Sequence, residues 1–174
     1  MSPRAVIIGP PGSGKSTVGP ALAARLGLAF RDSDEDIVAR AGKPITDIFA
    51  EEGEPAFRAL EEEVVAKALA EHDGVLSLGG GAPITPGTRE RLAGHTVVFL
   101  NVGMAAGVQR AGLSTARPLL AGVNPRATYK TLLDARLPVY REVAMIEIET
   151  DRLTPDEVVE AAVIGLTEIS KERA

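Results

Sequence analysis

Residues 9–16 read Gly-Pro-Pro-Gly-Ser-Gly-Lys-Ser and match the pattern G-x-x-x-x-G-K-S. The glycines of this pattern let the backbone curl so that several N–H groups face one point, and the following helix adds its positive end. Lys15 can then reach the outer phosphates of a nucleotide, and the Ser16 hydroxyl group can hold magnesium. The nucleotide-binding residues expected from the loop are Gly12, Ser13, Gly14, Lys15, Ser16 and Thr17.

The alternative is a glycine turn with a chance lysine. It is disfavoured because a strand-like segment precedes the loop and a helical segment follows it.

Two aspartates come directly after the second strand-like segment, in Asp32-Ser33-Asp34. Strands that follow a phosphate loop deliver their carboxyl ends to the ligand crevice. One aspartate could meet magnesium through water, and the other could accept a proton from an attacking hydroxyl group. The structural alternative is that Ser33 and Asp34 only cap the start of a helix.

Other proteins with a phosphate loop carry signals that this chain lacks. A GTPase switch reads guanine with N-K-x-D, which does not occur here. A mechanical ATPase places a magnesium-holding aspartate at the end of an apolar strand. The apolar segments ending at Leu78 and Leu100 continue instead into Gly79 and Asn101. The acidic residue that holds magnesium must therefore lie elsewhere in the chain, and Asp32 and Asp34 are the best candidates.

Arginines placed singly near loops could bind an anionic substrate. Arg58 and Glu61 are three residues apart on one face of a predicted helix. Arg117 lies in a loop without apolar periodicity, and Arg136 lies on the helix after it. The triglycine segment, Gly79-Gly80-Gly81, offers bare backbone amides at the end of a strand. The structural alternatives are a solvated salt bridge, solvated arginines and a flexible turn.

Strand-like and helix-like segments alternate along the chain. The five strand-like segments are Ala5–Ile8, 29–31, 75–78, 96–100 and 144–149. This alternation predicts an α/β fold, a five-stranded parallel sheet with helices on both faces. Residues 1–174 contain no linker or repeat and are expected to form one domain. Residues 112–124, with two glycines and a proline, are expected to form a lid loop.

The composition excludes several classes of protein. The chain is 45% hydrophobic and 25% charged, and it contains no cysteine for a disulfide or a thiolate metal site. Its net charge of −5 argues against nucleic acid as a partner, because such binders usually have a basic excess. Its apolar runs are too short for a signal-peptide core or a membrane span. A cytoplasmic monomer without a membrane partner is therefore expected.

The order of the motifs resembles one family. The motifs are G-x-x-x-x-G-K-S, D-x-D, G-E-x-x-F-R-x-x-E, G-G-G, R-P-L-L and R-x-P-x-Y. In this order and spacing, residues 4 to about 165 resemble the shikimate kinases. G-E-x-x-F-R-x-x-E beside D-x-D separates that family from nucleoside monophosphate kinases and gluconate kinases. The resemblance implies the fold of P-loop nucleoside-monophosphate kinases, and transfer of the γ-phosphoryl group of ATP to the 3-hydroxyl group of shikimate, in aromatic amino-acid biosynthesis.

The resemblance also implies a role for each candidate residue. Asp34 would contact the reacting hydroxyl group, with Lys15 and Arg117 as further catalytic residues. The shikimate-binding residues would be Asp34, Arg58, Glu61, Gly79, Gly80, Gly81 and Arg136, with Glu61 orienting an arginine. Asp32 would support Mg²⁺ together with Ser16. Arg117 would close over the phosphates, and Arg110 and the turn at Pro155 would flank adenine.

Two other functions remain open from the residues. One is another small-molecule kinase of this fold, such as a gluconate kinase, although a substrate without a carboxylate would leave Arg58 and Arg136 unexplained. The other is a catalytically silent nucleotide-binding module, which would require loss of Lys15, Asp34 or Arg117.

Pro20 departs from the family pattern, which usually has a residue with an N–H donor at this position. The proline removes a hydrogen bond to the Ser16 carbonyl group and should therefore bend the first helix.

Overall fold

The computed structural model describes residues 2–103, 106–107, 109–110 and 125–173. The strands are β1 (Ala5–Ile8), β2 (Phe30–Asp32), β3 (Val75–Ser77), β4 (Val97–Asn101) and β5 (Ile146–Glu149). The helices are α1 (Lys15–Leu26), α2 (Ser33–Ala41), α3 (Ile45–Glu52), α4 (Glu54–Glu71), α5 (Pro86–Leu92), α6 (Pro125–Val143) and α7 (Pro155–Glu172). The predicted lid at 112–124, with Arg117, lies outside the described residues and stays a prediction.

All five strands form one parallel sheet in the order β2-β3-β1-β4-β5. The predicted fold class is therefore confirmed, and each predicted strand boundary is within two residues of the observed one. In the register of the sheet, Ile7 of β1 pairs with Ser77 of β3, and Ser77 in turn pairs with Asp32 of β2. The carboxyl ends of these three strands thus lie side by side.

Alternate residues of the central strand point to opposite faces of the sheet, as expected for a pleated strand. Ala5 and Ile7 pack into a core with α1 and α7, to which Leu22 and Ala162 contribute. Val6 and Ile8 pack into a second core with α4, α5 and α6. Both faces of the sheet are covered by helices, which is why the central strand β1 is entirely apolar and buried.

The order of the strands opens a crevice at the carboxyl edge of the sheet, between β1 and β3. Strands β1 and β3 are neighbours, but α1 after β1 covers one face and α5 after β3 covers the other. The loops that leave the two strands therefore diverge, and a crevice opens between them at the carboxyl edge. A third apolar cluster, which includes Ile37, Ile48, Phe57 and Val64, ties α2, α3 and α4 together beside this crevice.

The helices begin and end with residues suited to those positions. Gly27 ends α1 in the left-handed region, with φ of 69°. α7 begins with a capping box, because Thr154 and Glu157 each accept from the other's backbone N–H. α1 is continuous through Pro20, and the bend expected there stays a prediction. Within the described ranges, no helix is long and apolar enough to span a membrane.

Candidate active site

The phosphate loop, residues 9–16, contains three glycines with positive φ, which are Gly9, Gly12 and Gly14. Gly12 has φ of 81° and Gly14 has φ of 95°, a region that side chains with a Cβ atom rarely occupy. Gly14 begins α1, and its carbonyl group accepts from Thr17 N at 3.1 Å. The loop therefore presents the positive end of α1 at the carboxyl edge of the sheet, as the sequence predicts.

The lysine of the loop is buried and bound to the loop itself. Lys15 Nζ donates to the carbonyl oxygens of Gly9 at 2.7 Å and Pro10 at 3.1 Å. These bonds satisfy a buried ammonium group that would otherwise be costly to desolvate. A phosphate group entering the loop could replace the two carbonyl groups as the partner of Lys15.

Asp32 caps α2, whereas the structural alternative gave this role to Ser33 and Asp34. Asp32 Oδ1 accepts from Asp34 N at 2.8 Å, which is the usual geometry of a helix cap. Ser33 is already inside the helix, and its hydroxyl oxygen accepts from Gly79 N at 3.2 Å. This bond ties the start of α2 to the triglycine segment, a contact that local sequence could not show.

Burial and nearby charges act in opposite directions on Asp32. Burial raises the pKa of its carboxyl group, while the N–H of Asp34, the Lys15 ammonium group and the N–H of Glu35 lower it. The influence of Lys15 on this pKa indicates that Asp32 faces the phosphate loop. An added cation at this position would favour the charged carboxylate further.

Two carboxylates converge on Gly79. A Cβ atom placed on this residue would lie 2.7 Å from Asp34 Oδ1 and 3.1 Å from Glu61 Oε2. A Cβ atom on Gly81 would lie 2.6 Å from Cζ of Arg58. The triglycine segment therefore needs glycines because acidic and basic side chains from α2 and α4 lie directly against its backbone.

The phosphate loop and the arginine of α6 both lie close to Gly80. A Cβ atom on Gly80 would be 3.3 Å from the Gly9 carbonyl oxygen, 3.3 Å from Pro11 Cδ and 3.4 Å from Arg136 Nη1. Arg136 is only 6% exposed. The structure thus brings the predicted phosphate-binding and anion-binding residues together across a single glycine.

Arg58 and Glu61 form the ion pair that their spacing predicts, at 2.9 Å between Nη1 and Oε1. The pair is not a solvated one, because Glu61 is 2% exposed and the Arg58 side chain 16%. The Arg58 guanidinium also lies 5.2 Å from the centre of the Phe57 ring, within range of a cation–π contact. Arg58 is therefore held in one orientation from two sides.

The environment of Glu61 makes its charge sensitive to pH. Burial raises the pKa of this carboxyl group to about 7 and Asp34 raises it as well, whereas Arg58 and Arg136 lower it. Both predicted anion-binding arginines therefore act electrostatically on the same buried carboxyl group. This arrangement supports the predicted orienting role of Glu61.

Sequence reasoning gave no role to the two tyrosines of α6. The motifs contain Tyr140 only as the last residue of R-x-P-x-Y, and they do not contain Tyr129. Tyr129 Oη donates to the Pro11 carbonyl oxygen at 2.7 Å, and Tyr140 Oη donates to that of Gly80 at 2.6 Å. The signal that could have found them is their spacing from Arg136, which puts all three side chains on one face of a helix.

The predicted adenine-binding residues lie near β5. Arg110 Nη1 donates to Thr150 Oγ1 at 3.4 Å, and Thr150 follows β5 directly. Pro155 is the first residue of α7, on the far side of the same loop. The structure thus places Arg110 against the loop that leads to Pro155, while their contact with adenine stays a prediction.

A phosphate loop between β1 and α1, next to buried acidic and basic side chains at the carboxyl edge of a parallel sheet, is typical of the P-loop kinases. The sequence profile of the shikimate kinase family matches residues 11–167. The chain belongs to the shikimate kinase family, and it is an ATP-dependent phosphotransferase. The resemblance found in the motifs is therefore confirmed.

Relatives support the assignment over nearly the whole length of the chain. The chain is 65% identical to a shikimate kinase from Saccharopolyspora erythraea, over 96% of this chain and 95% of the relative. It is 54% identical to one from Mycobacterium tuberculosis, over 91% and 90% of the respective lengths.

Solved structures agree with this assignment. A shikimate kinase from Acinetobacter baumannii in complex with shikimate superimposes with a TM-score of 0.91, at 36% identity, covering 98% of this chain and 95% of the other. A gluconokinase from Sinorhizobium meliloti has a TM-score of 0.63 at 22% identity, covering 97% and 93%, which shows a common fold alone. The family matches thus favour the shikimate kinases over the gluconate kinase alternative.

Proposed function

We propose that this chain transfers the γ-phosphoryl group of ATP to the 3-hydroxyl group of shikimate, giving shikimate 3-phosphate and ADP. The observation that carries the proposal is the position of Gly80, where atoms of the phosphate loop and of Arg136 all lie within 3.4 Å of the position that a Cβ atom would take. The donor and the acceptor would meet at this glycine. The Acinetobacter baumannii relative is described in complex with shikimate, which supports the choice of acceptor.

Arg58 and Arg136 would bind the carboxylate of the acceptor. A guanidinium group matches a carboxylate with two parallel hydrogen bonds, and both arginines are already oriented beside Glu61. The bound acid would add a negative charge where two cations face one buried carboxyl group. Gly79, Gly80 and Gly81 would line the pocket, and their lack of side chains lets Asp34, Glu61 and Arg58 lie directly against the backbone there.

In the reaction, the acceptor oxygen forms a bond to the γ-phosphorus atom while the bond from that phosphorus to the oxygen of ADP breaks. Asp34 would accept the proton of the hydroxyl group, and Lys15 would stabilise charge on the phosphoryl group as it moves. Phosphoryl transfer depends on such positioning and charge neutralisation more than on covalent chemistry. Arg117 is proposed to add a further positive charge and, with the lid at 112–124, to exclude water.

Magnesium is the cofactor that the residues of the loop would suit. A hydroxyl oxygen from Ser16 and a carboxylate oxygen from Asp32 are hard ligands of the kind that Mg²⁺ prefers, with phosphate oxygens completing the set. The pKa of Asp32 responds to Lys15, which supports a position next to the phosphates. Bound Mg²⁺ supplies positive charge that neutralises the phosphate oxygens.

We further propose that residues 1–174 act as one kinase domain, in a cytoplasmic monomer without a nucleic acid or membrane partner.

The proposal is tested by a panel of acceptors with ATP and Mg²⁺, followed through ADP release. Shikimate should be phosphorylated in preference to quinate, gluconate and AMP, and phosphorus NMR of the product should show an ester at the 3-hydroxyl group. Lys15→Ala is the inactive control, and chelation of Mg²⁺ should abolish turnover until the metal is restored. Equal or faster turnover of gluconate or AMP would contradict the proposal.

A further inference from the structure

Helix α6 carries both tyrosines of the chain, and each is bound to a different loop of the site. Tyr129 reaches the phosphate loop at Pro11, and Tyr140 reaches the triglycine segment at Gly80. Both side chains are fully buried. A buried carbonyl group that loses its hydrogen bond is unfavourable, so each hydroxyl group stabilises one particular orientation of its loop.

The two tyrosines lie on one face of α6, with Arg136 between them. Tyr129, Leu133, Arg136 and Tyr140 follow the spacing of a single helical stripe. Tyr129 and Tyr140 are about 16 Å apart along the helix axis, at a rise of about 1.5 Å per residue. One continuous helix therefore contacts both loops and also carries an arginine of the proposed acceptor site.

Each tyrosine also determines the direction of a backbone donor. In a trans peptide, the carbonyl group of one residue and the N–H of the next point in opposite directions. Tyr129 holds the Pro11 carbonyl group and so directs the N–H of Gly12 to the other side of the phosphate loop. Tyr140 holds the Gly80 carbonyl group and so directs the N–H of Gly81 away from α6.

Packing leaves the two hydroxyl groups little freedom to move. Tyr129 belongs to an apolar cluster with Val102, Ala106 and Leu133. Gly107 also lies against it, since a Cβ atom there would be 2.5 Å from Cζ of the ring. The ring of Tyr140 packs at 5.0 Å from the ring of Phe99, a core residue of β4. The positions of both donors are therefore set by the core.

We propose that Tyr129 and Tyr140 are positioning residues that act separately on the two substrates, Tyr129 on the nucleotide through Gly12 and Tyr140 on the acceptor through Gly81. The acceptor half of this inference rests on the proposed function. Neither hydroxyl group needs to touch a substrate, because each acts through a peptide group that it holds in place.

The matched substitutions Tyr129→Phe and Tyr140→Phe remove one hydroxyl group each and leave the rings in place. Tyr129→Phe should raise the KM for ATP by about 2- to 10-fold, the usual effect of one hydrogen bond, and leave the KM for shikimate unchanged. Tyr140→Phe should raise the KM for shikimate by a similar factor and leave the KM for ATP unchanged. Steady-state kinetics with each substrate varied in turn would measure both KM values, and thermal unfolding would measure the stability of each variant. Equal rises in both KM values, or a loss of thermal stability alone, would overturn the inference.

Binding measurements test the inference without turnover. The chain has no tryptophan, so each variant retains a single tyrosine as its fluorophore. In Tyr140→Phe the emission reports Tyr129 and should change with ADP, and in Tyr129→Phe it reports Tyr140 and should change with shikimate. Calorimetry should show weaker ADP binding for Tyr129→Phe only. If the parent protein did not phosphorylate shikimate, the proposed function would fail, whereas unchanged ADP affinity in Tyr129→Phe would overturn this inference independently.

Discussion

The carboxylates of Asp34 and Glu61 meet at Gly79, where a Cβ atom would lie 2.7 Å from Oδ1 of the first and 3.1 Å from Oε2 of the second. One carboxylate comes from the start of α2 and the other from the middle of α4. Burial is the main cause of the raised pKa of Glu61, and the nearby charge of Asp34 raises this pKa further. Four predictions concern this part of the molecule.

Gly79→Ala should lower kcat by about 100-fold, because a side chain there would displace the Asp34 carboxylate, and small displacements of a reacting group have effects of this size. Thermal stability should change little, since the atoms in the way are the ends of side chains. Gly87→Ala is the matched control, because its Cβ atom would meet the Glu62 carboxylate outside the site. A similar loss of activity in both variants would contradict the prediction.

Asp34→Asn should lower kcat by about 10²- to 10⁴-fold, the usual contribution of a general base. Asp36→Asn on the same helix is the control, since Asp36 pairs with Arg31 at 2.6 Å and has no proposed role in the reaction. Circular dichroism should show that both variants fold normally. Nearly full kcat in Asp34→Asn would show that Asp34 has only a structural role at the start of α2.

Arg136→Lys should raise the KM for shikimate by about 10- to 150-fold and leave the KM for ATP nearly unchanged. Lysine keeps the positive charge but loses the two-pronged contact, and a hydrogen bond to a charged group contributes roughly 1.5–3 kcal/mol. Arg141→Lys, on the exposed side of α6, is the control. A rise in the ATP KM alone would place Arg136 in the nucleotide site instead.

Glu61→Gln should stabilise the protein more at pH 8 than at pH 5. The pKa of Glu61 is raised from 4.5 to about 7 on folding, mainly by burial. Because the pKa is higher in the folded state, protonated Glu61 adds roughly 3 kcal/mol to the free energy of unfolding below pH 4.5. This contribution is lost as the pH rises through 7. Glutamine mimics the protonated form at every pH.

Urea unfolding at the two pH values measures this effect. Glu63→Gln is the control on the same helix, because Glu63 is 64% exposed in a surface ion pair with Arg40 and should give the same small change at both. A difference between Glu61→Gln and the parent that does not grow with pH would show that Glu61 is not buried as the structure places it.

Much of this site could be predicted from the sequence, because its parts depend on local chemistry. The phosphate loop needs glycines at positive φ followed by a helix, and Gly12, Gly14 and Lys15 specify that within a few residues. Alternating strand-like and helical segments likewise determine a parallel sheet, since parallel strands require crossover connections. The ion pair of Arg58 with Glu61 follows from their spacing on one helix.

The tertiary structure alone decided how these pieces meet. The order of the strands places the ends of β1 and β3 side by side, and Gly80 after β3 lies close to both the phosphate loop and Arg136, which are far apart in the chain. The bonds of Tyr129 and Tyr140 join segments 118 and 60 residues apart, and the raised pKa of Glu61 arises from burial among groups from three helices. Such contacts depend on which faces pack together, and local periodicity does not contain that information.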